Sequence, residues 1–383
     1  MNIKFSSCFL DHSGYGQASR NMLRAMVSVG INVSTFMLAY NQTSMRQLDE
    51  GGALAKKLEN RKIPYDIKLM MVTPDQAELQ YEVGKYNICA MFWEVLGLDS
   101  RWVRSMNSMD EIWTTSQVFA DTFKHNGVYK PIKVIKPFIE VHEYKKLKVK
   151  RFIVVQDSEI RTLKEFFFYS IFQWTERKNP KALLKAYWEA FEDNEDVALL
   201  LKVYKKDFTE SEREVIRDDI NGWKSELGMK NYAKVFLVLG ELSTKNMMRL
   251  HSTGDCFVSA HRGEGLGLPQ LEAMSVGNPI ISTNFGGIHE MLTDKEAWLI
   301  DYDLTQVFNM IHIPWYNSRH LWASVDSEHL KESMLEAYSN RELAAKKGRS
   351  ARAFVKRELN MGVVGKDILE RLKLIDSKLC KTL

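Results

Sequence analysis

The sequence predicts an α/β protein made of two doubly wound units, each a parallel sheet covered by helices. The chain has 383 residues, which is enough for two ordinary domains. Hydrophobic residues make up 45% and charged residues 27% of the chain, a composition typical of a globular protein with a sizeable core. Short β-branched or aromatic runs alternate with longer amphipathic runs along most of the chain, and this alternation indicates βα units.

The first half contains the alternation in its clearest form. "MNIKFSSCFL" reads as the first strand, and residues 14–29 place apolar side chains at helical spacing. "INVSTFML", "YNICAMFW", "DEIWTTS" and "PIKVIKP" then read as further strands.

A lysine-rich run at residues 145–151 precedes the second half, where the alternation resumes. The segments are "EFFFYSIFQW", a helix "NPKALLKAYWEAF", "VALLLKVY", "KVFLVLG", "DCFVSA" and "PIISTN". We therefore predict an N-terminal domain over residues 1–155 and a second domain over residues 156–355. Residues 356–383 are predicted to form a helical segment that crosses back to the first domain, with a packing stripe of Val363, Ile368, Leu369 and Leu372. Ligands of doubly wound sheets bind outside the carboxyl ends of the strands, so we expect the site in a cleft between the two halves.

Charge, cysteine content and hydropathy exclude several protein classes. The net charge of +4 is too small to identify a polyanion-binding protein. The four cysteines are scattered without a C-x-x-C pair, which argues against a disulfide framework or a zinc site and fits a reducing cytosol. The amino terminus lacks a signal-peptide pattern, and no apolar run approaches the length of a membrane span. These observations predict a cytoplasmic protein.

A first glycine-rich loop lies between the first strand and the first helix, in "LDHSGYGQASRN". Gly14 and Gly16 would allow close approach of a ligand, and the following helix amino terminus favours an anion. A tight strand-to-helix turn explains the same residues, and His12 beside it is equally ambiguous.

Two cations follow the first strand of the second half, in "FQWTERKNPKALL". Arg177 and Lys178 precede a helix that Asn179 would cap and Pro180 would begin. Two cations at the end of a buried strand suit a diphosphate, although ordinary surface residues would look the same.

The densest cluster of candidate residues is "SAHRGEGLGLPQLEAMSVGNP", residues 259–279. Glu264 would lie in a loop and Glu272 on the short helix that Pro269 begins, with seven residues between them. Carboxylates accept hydrogen bonds from pairs of hydroxyls, and backbone amides donate to phosphate. The amides concerned are those of Gly265, Leu266, Gly267 and Leu268.

Other polar residues near this cluster have two readings each. His261 and Arg262 either touch a phosphate or an acceptor or make loop hydrogen bonds. The "DYD" at residues 301–303 looks like a metal motif, but a loop after "AWLI" is the preferred reading.

The stretch "EGLGLPQLEA" resembles the E-x7-E signature of retaining GT-B glycosyltransferases, in the large family of sucrose synthases and mannosyltransferase-like enzymes. The resemblance extends over most of the chain, because "GYGQASRNMLRAM", "EIWTTSQVFADTFKHNGV", "ERKNPKALLKAY" and "NFGGIHEML" occur in the family's order and spacing. It implies a GT-B fold with an acceptor-side first domain, a nucleotide-sugar-binding second domain and a C-terminal helix that packs back across them.

The resemblance also implies roles for the candidate residues. Glu264 would hold hydroxyls of the donor sugar, and Glu272 would hold the ribose hydroxyls of a nucleotide diphosphate. Arg177 and Lys178 would neutralise the diphosphate, helped by the amides around both glycine-rich loops. Because cations and helix dipoles handle the leaving-group charge in this family, no metal or other cofactor is expected. Transfer of a hexosyl group with retention at the anomeric carbon is the implied reaction.

The chain departs from the family pattern at two places. The strand "SIFQWTE" lacks the arginine that many relatives place before the Arg-Lys pair, and Lys202 in "LLLKVY" is the candidate replacement. Many relatives also carry a histidine near the sugar, where this chain has Trp93 and Glu94 in "MFWEVLG". Glu94 therefore joins Glu264, Arg177 and Lys178 as a catalytic candidate.

The acceptor leaves several functions open. The main prediction is a glycosyltransferase that uses a nucleotide sugar and a glycan, lipid or small-molecule hydroxyl. The lysine-rich run supports an alternative acceptor, a hydroxymethylated DNA base, as in phage-type enzymes. A nucleotide-sugar epimerase is a further enzyme alternative. The two departures support a non-catalytic nucleotide-sugar or nucleic-acid binding module, since fold alone does not establish activity.

Overall fold

The computed structural model describes residues 1–11, 13–38, 49–141, 152–155, 159–162, 165–206, 208–310 and 313–382. The chain divides into two compact units, which we call unit 1 (Met1–Glu140 with Lys356–Leu383) and unit 2 (Val141–Val355). The domain limits proposed from the sequence stay a prediction, and His12 and the lysine-rich residues 145–151 lie outside the described residues.

Unit 1 is built on a parallel sheet with the strand order β2-β1-β3-β4-β5-β6. The strands are β1 (Asn2–Ser7), β2 (Asn32–Met37), β3 (Ile67–Met71), β4 (Tyr86–Ala90), β5 (Glu111–Thr114) and β6 (Ile132–Val134). The helices between them are α1 (Gly14–Ser28), α2 (Glu50–Lys57), α3 (Pro74–Glu78), α4 (Ser100–Ser108) and α5 (Gln117–His125). The alternation of strands and helices confirms the predicted doubly wound α/β class.

Sequence reading missed the central strand β3, because "IKLMM" carries a lysine and no regular alternation. Lys68 is buried in this strand, and its Nζ donates to Glu82 Oε1 at 2.9 Å. Pairing with Glu82 is what lets a charged side chain lie in a buried strand, since an unpaired buried charge is costly.

Unit 2 contains a second parallel sheet, with the order β11-β10-β9-β12-β13-β14. Its strands are β9 (Phe166–Gln173), β10 (Val197–Tyr204), β11 (Lys234–Val238), β12 (Cys256–Ser259), β13 (Ile280–Thr283) and β14 (Ala297–Ile300). The helices are α6 (Pro180–Phe191), α7 (Glu210–Leu227), α8 (Thr244–Thr253), α9 (Leu268–Val276), α10 (Ser327–Ser339) and α11 (Arg341–Glu358), the last three residues of which are assigned to unit 1. Two antiparallel pairs complete the strands described: β7 (Phe152–Val155) with β8 (Glu159–Thr162), and β15 (Tyr302–Gln306) with β16 (Leu321–Val325).

The strand order of unit 2 places its functional loops. Strand β9 is first in the chain among the parallel strands, and β10 and β12 lie on its two sides. The direction of winding therefore reverses between β9 and β12, and ligands of doubly wound sheets bind outside the carboxyl ends of the strands at such a switch point. The Arg177-Lys178 segment follows β9, and the Glu264 loop follows β12.

The structure corrects the local expectation for the "DYD" segment. The "DYD" segment is not a loop, because Tyr302 and Asp303 begin β15 and pair with Val325 and Ser324. A strand forms there because the chain returns as β16 and supplies a partner, which local sequence does not show.

The last described helix, α12 (Met361–Thr382), packs on α1 within unit 1. Ile368 and Leu372 are buried as the predicted stripe requires, but Val363 is 43% exposed and its neighbour Val364 is buried instead. The buried face therefore begins at Val364 and also includes Gly365, which lies against the backbone of Ala25, while Leu369 is half-buried. None of the helices in the described residues is long and apolar enough to cross a bilayer.

Candidate functional site

The turn after β9 presents the two predicted cations. Glu176–Lys178 form a single 3-10 turn, and Pro180 then begins α6. Asn179 joins the two in a left-handed conformation, with φ of 54°, and its side chain does not cap the helix as predicted. Asparagine tolerates this conformation better than most residues, which explains its presence without a capping bond.

Three contacts fasten this turn to the loop after β12. The backbone amide of Arg262 donates to the carbonyl oxygen of Arg177 at 2.8 Å. The Arg177 guanidinium donates from Nη1 to the carbonyl oxygen of Gly263, also at 2.8 Å. The Lys178 ammonium forms an ion pair with the Glu264 carboxylate. Arg177 and Lys178, predicted from one motif, and Glu264, predicted from another, are thus brought together.

Glu264 is a buried carboxylate, 7% exposed. One oxygen, Oε2, pairs with Lys178, and the other, Oε1, accepts from the backbone amide of Gly267 at 3.2 Å. Burial raises the pKa of Glu264, but the charges of Lys178 and Arg177 outweigh burial and lower the pKa to about 2. At neutral pH Glu264 is therefore an acceptor of hydrogen bonds and has no proton to donate.

The backbone of Glu264 is held by a second loop, which follows β13. Its carbonyl oxygen accepts from the amide of Gly287 at 2.8 Å. The preceding residue, Gly286, has φ of 88° and ψ of −170°, a conformation that is essentially restricted to glycine. A Cβ atom on Gly286 would lie 2.2 Å from the Glu264 carbonyl oxygen. Gly286 thus allows the two loops to touch.

His261 is fully buried and engaged through both ring nitrogens. Nδ1 lies 3.0 Å from Ser259 Oγ, and Nε2 lies 2.9 Å from the carbonyl oxygen of Phe285. Because a carbonyl only accepts, Nε2 carries the proton and Ser259 donates to Nδ1. Gln270 in turn donates to Ser259 Oγ at 3.2 Å. Burial lowers the pKa of His261 to about 4, so the ring is neutral. Donor binding by His261 stays a prediction.

Arg262 points towards the β15–β16 hairpin. Its Nε donates to Glu176 Oε1 at 3.1 Å, and its guanidinium lies over the rings of Phe308 and Trp322, at 4.8 and 5.7 Å from their centroids. The predicted phosphate or donor contact of Arg262 stays a prediction.

Glu272 extends from α9, and its side chain is 29% exposed. Its Oε2 lies 3.3 Å from Nε2 of His251, a fully buried residue of α8. The helix begins at Leu268, one residue before the predicted Pro269, with Leu271 and Met274 buried and Gly277 ending it in a left-handed conformation. The amides of Gly265, Leu266, Gly267 and Leu268 precede or begin this helix, where amide groups favour an anion.

Lys202 is buried in β10, paired in register with Ile171 near the end of β9. Its ammonium lies over the rings of Tyr204 and Phe208, at 5.6 and 5.0 Å from their centroids. Burial lowers the pKa of Lys202 to about 8, partly offset by the charge of Glu241. Its role as the replacement for the missing arginine stays a prediction.

The remaining candidates belong to unit 1. Packing within the protein explains why residue 16 is a glycine, because a Cβ atom there would lie 2.1 Å from the carbonyl oxygen of Asp11. Gly14 begins α1, next to Tyr15, whose hydroxyl accepts from the amide of Phe92 at 3.2 Å. This contact joins the first glycine-rich loop to the loop that carries Glu94.

Glu94 is half-buried, and the neighbouring Trp93 turns into the core. The Trp93 indole donates to the carbonyl oxygen of Gly97 at 2.7 Å and packs against Trp102. The catalytic role of Glu94 and the ligand contacts of Gly14 and Gly16 stay predictions. In the described ranges, no group of three or more His, Cys, Asp and Glu side chains is arranged to hold a metal ion. The expected independence from metals also stays a prediction.

Solved structures with a similar backbone share the predicted GT-B fold. Sucrose-phosphate synthase from Thermosynechococcus elongatus aligns with a TM-score of 0.68 and 14% identity, covering 98% of this chain and 99% of that chain. Anabaena HepE, solved with UDP and glucose, aligns with a TM-score of 0.66 and 13% identity, covering 97% and 99%. A glycosyltransferase from Rickettsia africae aligns with a TM-score of 0.64 and 13% identity, covering 98% of both chains.

At the level of sequence, the evidence is a family model. Among curated proteins, none matches this chain. The model of the group 1 glycosyl transferases matches residues 156–354, which include β9, β12 and the loops that hold Arg177, Lys178 and Glu264. This match covers more than half of the sequence, and the chain belongs to the group 1 glycosyltransferases.

Proposed function

We propose that this protein is a retaining glycosyltransferase that moves a hexosyl group from a nucleotide diphosphate sugar to a hydroxyl acceptor. The observation that carries the proposal is the buried Glu264 carboxylate, paired with Lys178 and next to Arg177 at the switch point of unit 2. A carboxylate that orients sugar hydroxyls and cations that neutralise a diphosphate are thus held within one pair of loops.

The leaving group accounts for the cations. In the transfer, the bond between the anomeric carbon and the diphosphate oxygen breaks, the acceptor oxygen forms a new bond to that carbon, and the acceptor proton passes to the departing diphosphate. Negative charge develops on the departing diphosphate, so fixed positive charge nearby lowers the barrier. Lys178, Arg177 and the amide groups at the start of α9 would supply this charge.

The state of Glu264 supports a role in orientation. Because Lys178 and Arg177 keep the carboxylate ionised, Glu264 accepts hydrogen bonds from sugar hydroxyls and does not act as a general acid. Because Glu264 pairs with Lys178, this ion pair would also link the sugar-binding group to the diphosphate-binding group.

Three further assignments belong to the same proposal. Glu272 would hold the ribose hydroxyls, since its partly exposed carboxylate lies on α9, just beyond the amides that would meet the phosphates. Lys202 would add positive charge from β10. Because cations and amides are available for the diphosphate, the reaction would proceed without a metal.

The complexes of Anabaena HepE with UDP and glucose and with UDP-glucose make UDP-sugars the first donors to test. The full chain is incubated with a panel of UDP- and GDP-hexoses, with and without EDTA. The measured quantity is nucleotide release by hydrolysis, with water as the acceptor. Proton NMR of the first sugar product gives the anomeric configuration. We expect release from at least one donor, unchanged by EDTA, with the donor's anomeric configuration retained.

Glu264→Gln provides the matched test of the site. It keeps the shape but removes the charge, so we expect nucleotide release to fall roughly 100-fold. The control is Glu226→Gln in α7, whose carboxylate is exposed and pairs with Lys181. Equal activity of the two variants would contradict the assignment of Glu264, and an inverted product would contradict retention.

A further inference from the structure

The structure contains a buried polar cluster behind Glu272 that the roles above leave unexplained. It consists of His251 from α8, Tyr169 from β9 and Asn278, which follows α9. All three residues are at least nine-tenths buried. Buried polar groups cost free energy unless they are paired, so a connected group of them beside a partly exposed carboxylate needs a reason.

The hydrogen bonds of the cluster form a chain of donors from Asn278 through Tyr169 and His251 to Glu272. The Asn278 Nδ2 group donates to Tyr169 Oη at 2.8 Å and to the carbonyl oxygen of His251 at 2.6 Å. Tyr169 Oη also lies 3.0 Å from Nδ1 of His251. Because the buried hydroxyl needs an acceptor for its proton, and its oxygen accepts from Asn278, the tyrosine proton is assigned to Nδ1. The remaining proton of the imidazole is therefore assigned to Nε2, which faces Glu272 Oε2 at 3.3 Å.

Packing fixes the cluster in place. Gly254 lies against the Tyr169 ring so closely that a Cβ atom there would be 2.1 Å from Cδ1 of the ring. Phe257 also packs edge-on against the Tyr169 ring, with 5.1 Å between the ring centroids. Burial raises the pKa of Tyr169 well above its usual value, so the hydroxyl keeps the proton that it donates.

We propose that His251 is a positioning residue for nucleotide recognition, which donates from Nε2 to Glu272 and so aims the carboxylate at the ribose hydroxyls. The proposal rests on the proposed role of Glu272. A glutamate that is 29% exposed has several rotamers, and one fixed hydrogen bond to Oε2 restricts them to those that keep Oε1 towards the ligand. The ligand chemistry is a vicinal diol, whose hydroxyls donate to the carboxylate that His251 holds in place.

The test compares two probes, UDP and 2′,3′-dideoxy-UDP, by titration calorimetry on the full chain. For the wild type we expect UDP to bind about tenfold more tightly than the dideoxy compound, because the diol donates to a charged acceptor. The variant is His251→Phe, which keeps an aromatic ring and removes the donor. We expect this ratio to fall to about two- to threefold, with the affinity for dideoxy-UDP unchanged.

The ratio of the affinities for UDP and dideoxy-UDP distinguishes a positioning role of His251 from a general loss of structure. If His251→Phe weakens both probes equally, or leaves the ratio at its wild-type value, the inference is wrong. Glu272→Gln distinguishes the inference from its premise. If that variant loses the preference for UDP while His251→Phe keeps it, Glu272 reads the ribose without help from His251. If the wild type shows no preference, the ribose role of Glu272 fails together with the inference.

Two further variants complete the experiment. Tyr169→Phe removes the hydroxyl that fixes the tautomer, so we expect the ratio to fall about twofold. This measurement decides the question if His251→Phe does not fold, and an unchanged ratio in Tyr169→Phe would then overturn the inference. His329→Phe is the control, because this half-exposed histidine pairs with Asp301 elsewhere in unit 2. The ratio should stay at the wild-type value.

Discussion

Replacing Gly286 by alanine should disable the site without unfolding the protein. The added Cβ would lie 2.2 Å from the Glu264 carbonyl oxygen, whereas ordinary contact begins near 3.4 Å, so one loop must move by about 1.2 Å. Glu264 moves with its carbonyl, and a misplacement of about 1 Å costs roughly 100-fold in rate. The glycine-only conformation adds a strain of about 1 to 3 kcal/mol, which lowers Tm by roughly 5 °C.

The assay is nucleotide release from the preferred donor, with thermal unfolding measured on the same samples. Gly240→Ala is the matched control, since a Cβ at Gly240 meets nothing within 4 Å and the residue does not have a positive φ. We expect the control to match the wild type in both measurements. If Gly286→Ala is folded and turns over at the wild-type rate, the loop contact does not position Glu264.

Three other predictions follow from the charges in unit 2. As the pH is lowered from 6.5 to 4, the free energy of unfolding should fall. His261 binds a proton in this range in the unfolded chain but stays neutral when it is buried in the folded protein. Urea unfolding of His261→Gln should show a smaller fall over the same pH range. Lys178→Met removes the main charge that lowers the pKa of Glu264, so burial should raise that pKa. Nucleotide release should then drop about 100-fold and become pH-dependent. Calorimetric affinity for UDP should decrease above pH 8 as Lys202 loses its proton, and Lys202→Arg should remove that decrease.

The pairing of Arg177, Lys178 and Glu264 was predictable because each residue follows a recognisable strand. Carboxyl ends of adjacent parallel strands lie side by side, so residues 86 positions apart in sequence meet once β9 and β12 are neighbours. The start of α6 at Pro180 and the end of α9 at Gly277 were predictable for a similar reason, since both depend on local backbone preferences.

The support behind these residues was not predictable from the chain. His251 and Tyr169 are 82 residues apart, and periodicity shows only that each lies on a buried face. Which polar partner a buried side chain meets depends on how α8 packs on the sheet, a property that no short pattern encodes. Gly286 is similar, because its need for glycine comes from the carbonyl of Glu264, in another loop. The strand β15 depends likewise on a distant partner, β16.

The order in which the chain is made has a consequence for how unit 1 matures. Its sheet is encoded before unit 2, but the helix α12 that packs on α1 is translated only after the whole of unit 2 has been translated. Domains usually fold as they emerge, with the N-terminal one first. Until α12 is made, the apolar surface of unit 1 that Ile368 and Leu372 later cover is exposed to water. By that time all the strands of unit 2 have been translated. During synthesis, that waiting surface is where a chaperone would be needed.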